Sequence, residues 1–274
     1  MKRTRRSLMC SPDHFQVSYS INDWMDPTRA VDQELAQSQW QSLKTRLEEL
    51  GQQVMVVPGQ AGWPDMVFAA DCGLALGGTF WVSNFRHPER AGEADHYRRW
   101  FESNGLQVRQ VPAGITFEGL GDVIVCERGL VVGLGPRSCP ELAGWLQDQG
   151  LPVLARVELA QERFYHTANV LACLDGSTLI YYPDAFTAAS RQALSLVFDQ
   201  LVECTQSDAV DHFACNCMTV AQTVLMGECS PPLRAQLARL GWRVESLILS
   251  EFKKSGAGVR CLVLDFWQHD LPGG

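Results

Sequence analysis

The strongest constraint on the fold is a pattern that recurs at intervals of about 45–53 residues along the chain. In each repeat a polar residue at a turn leads into an apolar strand, a short turn and a second strand, followed by an amphipathic helix and a third strand. The polar residues that open the five repeats are Asp65, Glu118, His166, Asn216 and Cys261. This periodicity is typical of repeated supersecondary units, which must pack together to bury their apolar surfaces.

Each repeat contains a segment with helical periodicity and recognisable end signals. One predicted helix runs from Glu93 to Ser103 and ends at Asn104-Gly105. Another runs from Pro140 to Gln149, with Ser138 as its expected N-cap. The remaining helices are expected at about 187–200, 232–240 and 32–50.

The fifth repeat is split between the two ends of the chain. The strand that follows Cys261 would join the N-terminal segment, which contributes the helix at about 32–50. This arrangement indicates a closed set of repeats in a single domain, residues 1–274, rather than an open array. The alternative is an unrelated α/β chain in which the apparent period has no structural meaning.

Composition limits the classes of partner. The chain has 274 residues, of which 46% are hydrophobic, enough for a substantial core. Its net charge of −8 argues against a nucleic-acid partner, because phosphate binding requires clustered Lys and Arg. No apolar run approaches the ~20 residues of a membrane span, and no apolar segment of a secretory signal follows the basic N-terminus. A cytoplasmic protein without a membrane partner is expected; monomer and homodimer both remain open.

The ten cysteines are interpreted as reduced thiols rather than as a disulfide scaffold. Most lie in apolar runs, where a free cysteine packs as a small hydrophobic residue. The cluster His212-x-x-Cys215-x-Cys217 lacks the usual two-residue gap of a zinc knuckle and has no second knuckle. We therefore predict no metal and no cofactor.

Cys261 and His166 carry the chemistry that the sequence indicates. Each lies at the start of an apolar strand, and Cys261 follows a glycine-rich turn that permits close approach of a ligand. A thiol and an imidazole are the two parts of a covalent hydrolase or transferase. Asp71 and Glu118 lie in apolar neighbourhoods, where an unpaired carboxylate is costly. Either a bound cation or a structural ion pair would account for these two acids.

These residues occur in short segments that resemble the guanidino-group-modifying superfamily, and most nearly its dimethylarginine dimethylaminohydrolases. Arginine deiminases, arginine dihydrolases and amidinotransferases are related families. The resemblance covers nearly the whole chain and implies an α/β fold, the five-bladed α/β-propeller (pentein) of ββαβ units around a central active-site channel. The segments that carry it are residues 9–15, 64–71, 86–93, 117–122, 164–166, 216 and 256–261.

The resemblance also implies roles for individual residues. Cys261 would be the nucleophile and His166 the general acid and base. Glu118 would hold the imidazole and one guanidinium nitrogen, and Asp71 would bind the guanidinium from its other side.

Further residues match positions that bind substrate in the family. Asp65, Arg90 and Arg137 would contact the amino-acid end of the substrate, although the two arginines could also be surface residues. Asp122 and Asn22 are expected among the substrate-binding residues without an assigned role.

Three positions bear on the substrate. Arginine deiminases and amidinotransferases carry an Asp where this chain has Ala168, which leaves room for a substituted nitrogen. Arginine dihydrolases place Asn where this chain has Asp71. Dimethylarginine hydrolases often carry an acid at the position of Ala70, a departure that weakens the match.

The predicted function is therefore hydrolysis of a small guanidino compound, foremost an Nω-methylated arginine, to citrulline and (di)methylamine through a covalent S-alkylthiouronium. An arginine deiminase or dihydrolase, an amidinotransferase and a ligand-binding protein without turnover remain as alternatives.

Overall fold

The computed structural model describes residues 5–267, which form five three-stranded sheets. In every sheet the central strand pairs antiparallel with one neighbour and parallel with the other. The strands are, in chain order, β1 (Arg5–Cys10), β2 (Gln53–Val57), β3 (Gly73–Leu76), β4 (Thr79–Val82), β5 (Gln107–Gln110), β6 (Val123–Cys126), β7 (Gly129–Leu134), β8 (Val153–Glu158), β9 (Leu171–Cys173), β10 (Thr178–Tyr181), β11 (Gln200–Glu203), β12 (Met218–Val220), β13 (Thr223–Met226), β14 (Arg243–Ser246) and β15 (Leu264–Trp267). The five sheets confirm the five predicted ββαβ repeats.

Five helices connect the second and third strands of the repeats, as a parallel pair requires. The seven helices of residues 5–267 are α1 (Gln33–Glu49), α2 (Glu93–Ser103), α3 (Leu142–Asp148), α4 (Ala188–Val197), α5 (Gln206–Val210), α6 (Pro231–Arg239) and α7 (Ser250–Lys253), and all but α5 and α7 make these connections. Helix α2 has the predicted bounds. The short helices α5 and α7 have no counterpart in the sequence prediction.

The predicted N-cap of α3 is wrong. Helix α3 begins at Leu142, and its N-terminus has no side-chain cap. The Ser138 hydroxyl instead donates to the Gly133 carbonyl (2.8 Å) and accepts from the Gly135 N–H (3.3 Å). Ser138 therefore closes the turn after β7, and the helix begins two residues later than predicted.

The described chain groups into two compact units. Unit 1 contains residues 5–120, Leu249–Ala257 and residues 261–267, and unit 2 contains Gly121–Ile248 and Gly258–Arg260. The extent of a single domain over residues 1–274 stays a prediction, and residues 1–4 and 268–274 lie outside the described part.

Unit 1 contains two of the sheets, one of which joins the chain ends. In that sheet β15 pairs antiparallel with β1, with Leu8 opposite Leu264, and β1 pairs parallel with β2. The split fifth repeat is thus confirmed. Phe101 of α2 stacks on Phe80 of β4, with ring centroids 3.9 Å apart, and also contacts Phe266 of β15. This aromatic group ties both sheets of unit 1 into one core.

Unit 2 contains the other three sheets, in the orders β6-β7-β8, β9-β10-β11 and β12-β13-β14. Their central strands are almost completely buried, which explains why they read as continuous apolar runs in the sequence. Within residues 5–267, no helix combines the length and apolarity that crossing a bilayer requires.

Short 3₁₀ turns precede the first strand in four of the five repeats, and they contain or adjoin the predicted site residues. The turns are Pro64–Val67, Ala69–Cys72, Gly119–Gly121, Thr167–Asn169 and Arg260–Leu262. In the remaining repeat Phe213, with a φ of +53°, opens the turn that leads to Asn216. Each repeat therefore has one of these polar residues in or beside the turn that leads into its first strand.

Candidate active site

The imidazole of His166 is fully buried in unit 2 and is held by a carboxylate. Its Nδ1 lies 3.1 Å from Asp122 Oδ2. The other oxygen of Asp122 accepts from the Thr167 backbone N–H (3.1 Å) and hydroxyl (3.3 Å). A carboxylate at Nδ1 keeps the proton on that nitrogen and makes Nε2 the basic nitrogen. The pair has the arrangement of an oriented acid–base catalyst.

Glycine is required directly before Asp122. A Cβ on Gly121 would lie 2.6 Å from the imidazole of His166. The ring therefore packs on bare backbone, and the same short segment supplies both the carboxylate and the surface that orient it.

Asp122, whose role the sequence left open, is the residue seen at the imidazole, a place that the resemblance gave to Glu118. Glu118 is fully buried in unit 1, and its Oε1 accepts from the Arg86 N–H at 3.0 Å. Contacts of Glu118 with the imidazole and with a guanidinium stay predictions. The Gly-Asp pair before an apolar strand was the available sequence signal for Asp122.

Arg90 is buried in unit 1 among three acids, which we call the acid cluster: Asp65, Asp71 and Glu93. Its guanidinium donates to Asp71 Oδ2 at 2.8 Å, to Glu93 Oε2 at 2.9 Å and to the Asp65 carbonyl at 3.2 Å. Glu93 was not predicted as a site residue, because its place at the start of α2 resembles an ordinary acidic first turn. Binding of a substrate α-carboxylate by Arg90 stays a prediction.

Three buried acids, Asp65, Asp71 and Glu93, surround the single buried guanidinium of Arg90. Burial, followed by the carboxylates of Asp65 and Asp71, raises the pKa of Glu93 to about 8 despite the opposing charge of Arg90. Burial lowers the pKa of Arg90, but Glu93, Asp71 and Asp65 together raise it above its ordinary value. Tyr19 donates to Asp65 Oδ2 at 2.8 Å, and burial is the main cause of a raised Tyr19 pKa. Arg90 therefore remains charged and holds Asp71 in place.

Cys261 is buried and forms no disulfide, and it lies in the turn Arg260–Leu262. The preceding loop contains Gly256, which has a φ of +76° that favours glycine. Asn22 donates to the Ser255 carbonyl at 3.1 Å and accepts from the Trp24 N–H at 2.9 Å. Asn22 thus anchors the loop that leads toward the thiol, and its contact with substrate stays a prediction.

Burial excludes the alternative that Arg90 and Arg137 are surface residues. Arg90 is 3% exposed and Arg137 is 1% exposed. The Arg137 guanidinium lies 5.0 Å from the ring centroid of Tyr165, the residue before His166. Arg137 is therefore held beside the segment of unit 2 that contains His166.

Residues 5–267 contain no group of three or more His, Cys, Asp or Glu side chains arranged to hold a metal ion. The chemistry available to these residues is that of a thiol, an oriented imidazole and buried acids.

Comparison with known proteins identifies relatives of the whole chain. No protein-family model matches the chain. The bifunctional arginine dihydrolase/ornithine cyclodeaminase ArgZ of Synechocystis is 38% identical over 97% of this chain. The N(G),N(G)-dimethylarginine dimethylaminohydrolase of Mycobacterium tuberculosis is 37% identical over 96% of this chain and 86% of its own length.

The chain spans only 38% of the length of ArgZ and 37% of the related AgrE of Nostoc. The N-terminal domain of ArgZ, solved covalently bound to a reaction intermediate, superimposes with a TM-score of 0.92 at 37% identity. That match covers 98% of this chain and the whole of the solved domain. A dimethylarginine dimethylaminohydrolase structure at 22% identity has a TM-score of 0.79 and shares the fold.

The fold is the α/β pentein fold of these structures, and the predicted resemblance is confirmed. The chain belongs to the guanidino-group hydrolase family that includes the dimethylarginine dimethylaminohydrolases and the arginine dihydrolases.

Proposed function

We propose that this protein hydrolyses a small guanidino compound, foremost an Nω-methylated arginine, to citrulline and (di)methylamine. The observation that carries the proposal is the buried imidazole of His166, fixed at Nδ1 by Asp122. Cys261 lies at the corresponding turn of another repeat. Family membership supports this chemistry, because relatives named for dimethylarginine and arginine hydrolysis share more than a third of the sequence.

The first half of the reaction forms a covalent intermediate. The thiolate of Cys261 attacks the guanidinium carbon, since only the thiolate is nucleophilic. A carbon–sulfur bond forms, a carbon–nitrogen bond breaks, and His166 Nε2 gives its proton to the departing amine. The product of this half is an S-alkylthiouronium on Cys261.

The second half consumes water. The imidazole, now neutral, takes a proton from water, and the resulting hydroxide attacks the thiouronium carbon. The carbon–sulfur bond breaks and the thiolate is restored, the added hydroxyl gives its proton to solvent, and the neutral ureido product leaves. Asp122 stabilises the imidazolium whenever His166 carries two protons.

Buried carboxylates would bind the planar cation and hold it for attack. We propose that Asp71 and Glu118 bind the guanidinium, while Asp65, Arg90, Arg137 and Asn22 line the amino-acid end. Hydrogen bonds to charged groups are worth about 1.5–3 kcal/mol each, enough to orient a small substrate. Arg90 supports this arrangement by holding the carboxylate of Asp71 at 2.8 Å.

Arginine is the second candidate substrate. The match to the ArgZ domain over 98% of this chain favours it. Asp71 favours the methylated substrate over the dihydrolase reaction, because the resemblance associates dihydrolases with Asn at this position. Ala168, buried in the turn after His166, lacks the acid that the resemblance associates with unsubstituted guanidines.

Product analysis separates the candidates. The purified protein is incubated with asymmetric dimethylarginine, arginine and agmatine, and the ureido product is assayed together with dimethylamine and ammonia. The proposal expects citrulline and dimethylamine in equal amounts from dimethylarginine. Ammonia from arginine, with dimethylarginine untouched, would overturn the substrate assignment.

We further propose that the protein works in the reducing cytoplasm, a proposal supported by the ten cysteines, none of which forms a disulfide within residues 5–267. Assembly as a homodimer stays a prediction, and light scattering of the purified protein would decide it.

A further inference from the structure

Asn216 occupies the polar position of the fourth repeat, the counterpart of His166 and Cys261 in theirs. It lies 50 residues after His166 and 45 before Cys261. Its side chain is fully buried. Burying an amide costs free energy unless both its donor and its acceptor form hydrogen bonds.

The side chain of Asn216 binds the turn that follows His166. Its Nδ2 donates to the Ala168 carbonyl at 3.1 Å and to Asn169 Oδ1 at 3.2 Å. Both acceptors belong to the turn Thr167–Asn169. In the same turn, the Thr167 N–H donates to the carboxylate of Asp122, which orients the imidazole.

The other side of the same residue binds the segment that leads to the thiol. Asn216 Oδ1 accepts from the Gly258 N–H at 3.1 Å, and the Asn216 carbonyl accepts from the Arg260 N–H at 3.3 Å. Arg260 directly precedes Cys261 in the chain. Asn216 and both segments that it binds lie within unit 2.

The contact with the loop requires glycine at position 258. A Cβ on Gly258 would lie 2.9 Å from Asn216 Oδ1 and 3.0 Å from Asn216 Cβ. The backbone of the loop is thus pressed directly against the amide. Asparagine alone combines a donor and an acceptor at this side-chain length, so neither aspartate nor leucine would satisfy both segments.

We propose that Asn216 is a positioning residue, one amide that fixes both the turn after His166 and the segment before Cys261. The inference rests on the proposed cysteine hydrolysis. Asn216 acts through the two residues that carry the chemistry. Displacement of a reacting group by about 1 Å can cost about 10²-fold in rate. Loss of the amide should therefore lower kcat more than it raises KM.

The test compares kcat, KM and thermal stability for Asn216→Ala and Asn216→Asp, with dimethylarginine and arginine as substrates. The expected result for Asn216→Ala is a fall in kcat of about 10²-fold with KM within about threefold. Asn216→Asp retains the acceptor for Gly258 but replaces the donor to the Ala168 carbonyl by a second acceptor, so kcat should fall in this variant as well. Ser190→Ala is the stability control, because the hydroxyl of Ser190, a buried residue of α4, accepts a hydrogen bond from the Glu158 N–H of β8 at 2.7 Å.

A second pair of variants tests the contact from the loop side without changing Asn216. Gly258→Ala should lower kcat in the same way, whereas Gly114→Ala, whose Cβ would meet nothing within 4 Å, should leave it unchanged. If Asn216→Ala fails to fold, the Gly258→Ala and Asn216→Asp results decide. Activity within threefold of wild type in Gly258→Ala and in the folded Asn216 variants would overturn the positioning role and leave the proposed function intact. A wild-type protein that produces no ureido compound overturns both.

Discussion

Replacement of Asp122 by Asn tests the orientation of the His166 imidazole and its proposed role as acid and base. Thr167 donates to one oxygen of Asp122 through its N–H and hydroxyl, so that side of the residue must remain an acceptor. In Asp122→Asn the amide oxygen would therefore stay at Thr167, and the NH₂ group would face His166 Nδ1. An N–H at this place makes Nδ1 the acceptor and moves the imidazole proton to Nε2. The base would then carry its proton on the nitrogen that must accept one.

The size of the effect follows from the lost charge. A hydrogen bond to an ionised group is worth about 1.5–3 kcal/mol, and 1.36 kcal/mol corresponds to a tenfold change in rate. Loss of imidazolium stabilisation alone therefore lowers kcat about 10- to 150-fold, and the reversed tautomer lowers it further. The fold should persist, because Asn has nearly the same shape and keeps the bonds to Thr167.

Initial rates of citrulline formation between pH 6 and 9 measure the effect. Thr167→Val is the matched control, since it removes only the longer hydroxyl contact of 3.3 Å and leaves the backbone N–H in place. Its kcat should stay within about threefold of wild type. A kcat for Asp122→Asn equal to that of Thr167→Val would refute the assignment of Asp122 as the partner of the imidazole.

Three further predictions concern the groups around the site. Glu93 has a pKa raised from 4.5 to about 8, so the folded state binds more protons than the unfolded state between these values. The free energy of unfolding should thus fall from pH 5 to pH 8. Urea titrations should show a smaller fall for Glu93→Gln than for the wild type. An equal dependence on pH in the two proteins would contradict the raised pKa of Glu93. Gly121→Ala places a Cβ 2.6 Å from the imidazole and should lower kcat about 10²-fold by displacing it, with a normal kcat as the contrary result. Asp71→Asn keeps an acceptor for Arg90 but removes a charge from the guanidinium site, so KM for dimethylarginine should rise about tenfold; an unchanged KM in a folded variant would remove Asp71 from substrate binding.

The repeated fold was predictable because its signals are local. Each repeat carries its own apolar strands, helix periodicity and glycine turns, and α2 begins and ends where those signals indicate. The pairing of β15 with β1 could also be inferred, because the incomplete repeat at each end has a use only in the other.

The side-chain partners in the site were harder to predict from the sequence than the fold. Glu118 and Asp122 are four residues apart, and the turn between them, in which Gly119 has a φ of +55°, decides where each carboxylate points. The three-acid environment of Arg90 likewise depends on how α2 packs beside the turn that contains Asp71. Neither sequence spacing nor residue type specifies such packing, so Glu93 was missed and Asp122 had no assigned role.

The most direct test of the account is the covalent intermediate. Wild-type protein is mixed with dimethylarginine, quenched in acid within the first turnover and digested, and the ten cysteines are examined by mass spectrometry. We predict that the peptide containing Cys261 gains the mass of the substrate less that of dimethylamine, and that Cys261→Ser shows neither adduct nor product. An adduct on a different cysteine, or undiminished citrulline formation by Cys261→Ser, would contradict the account.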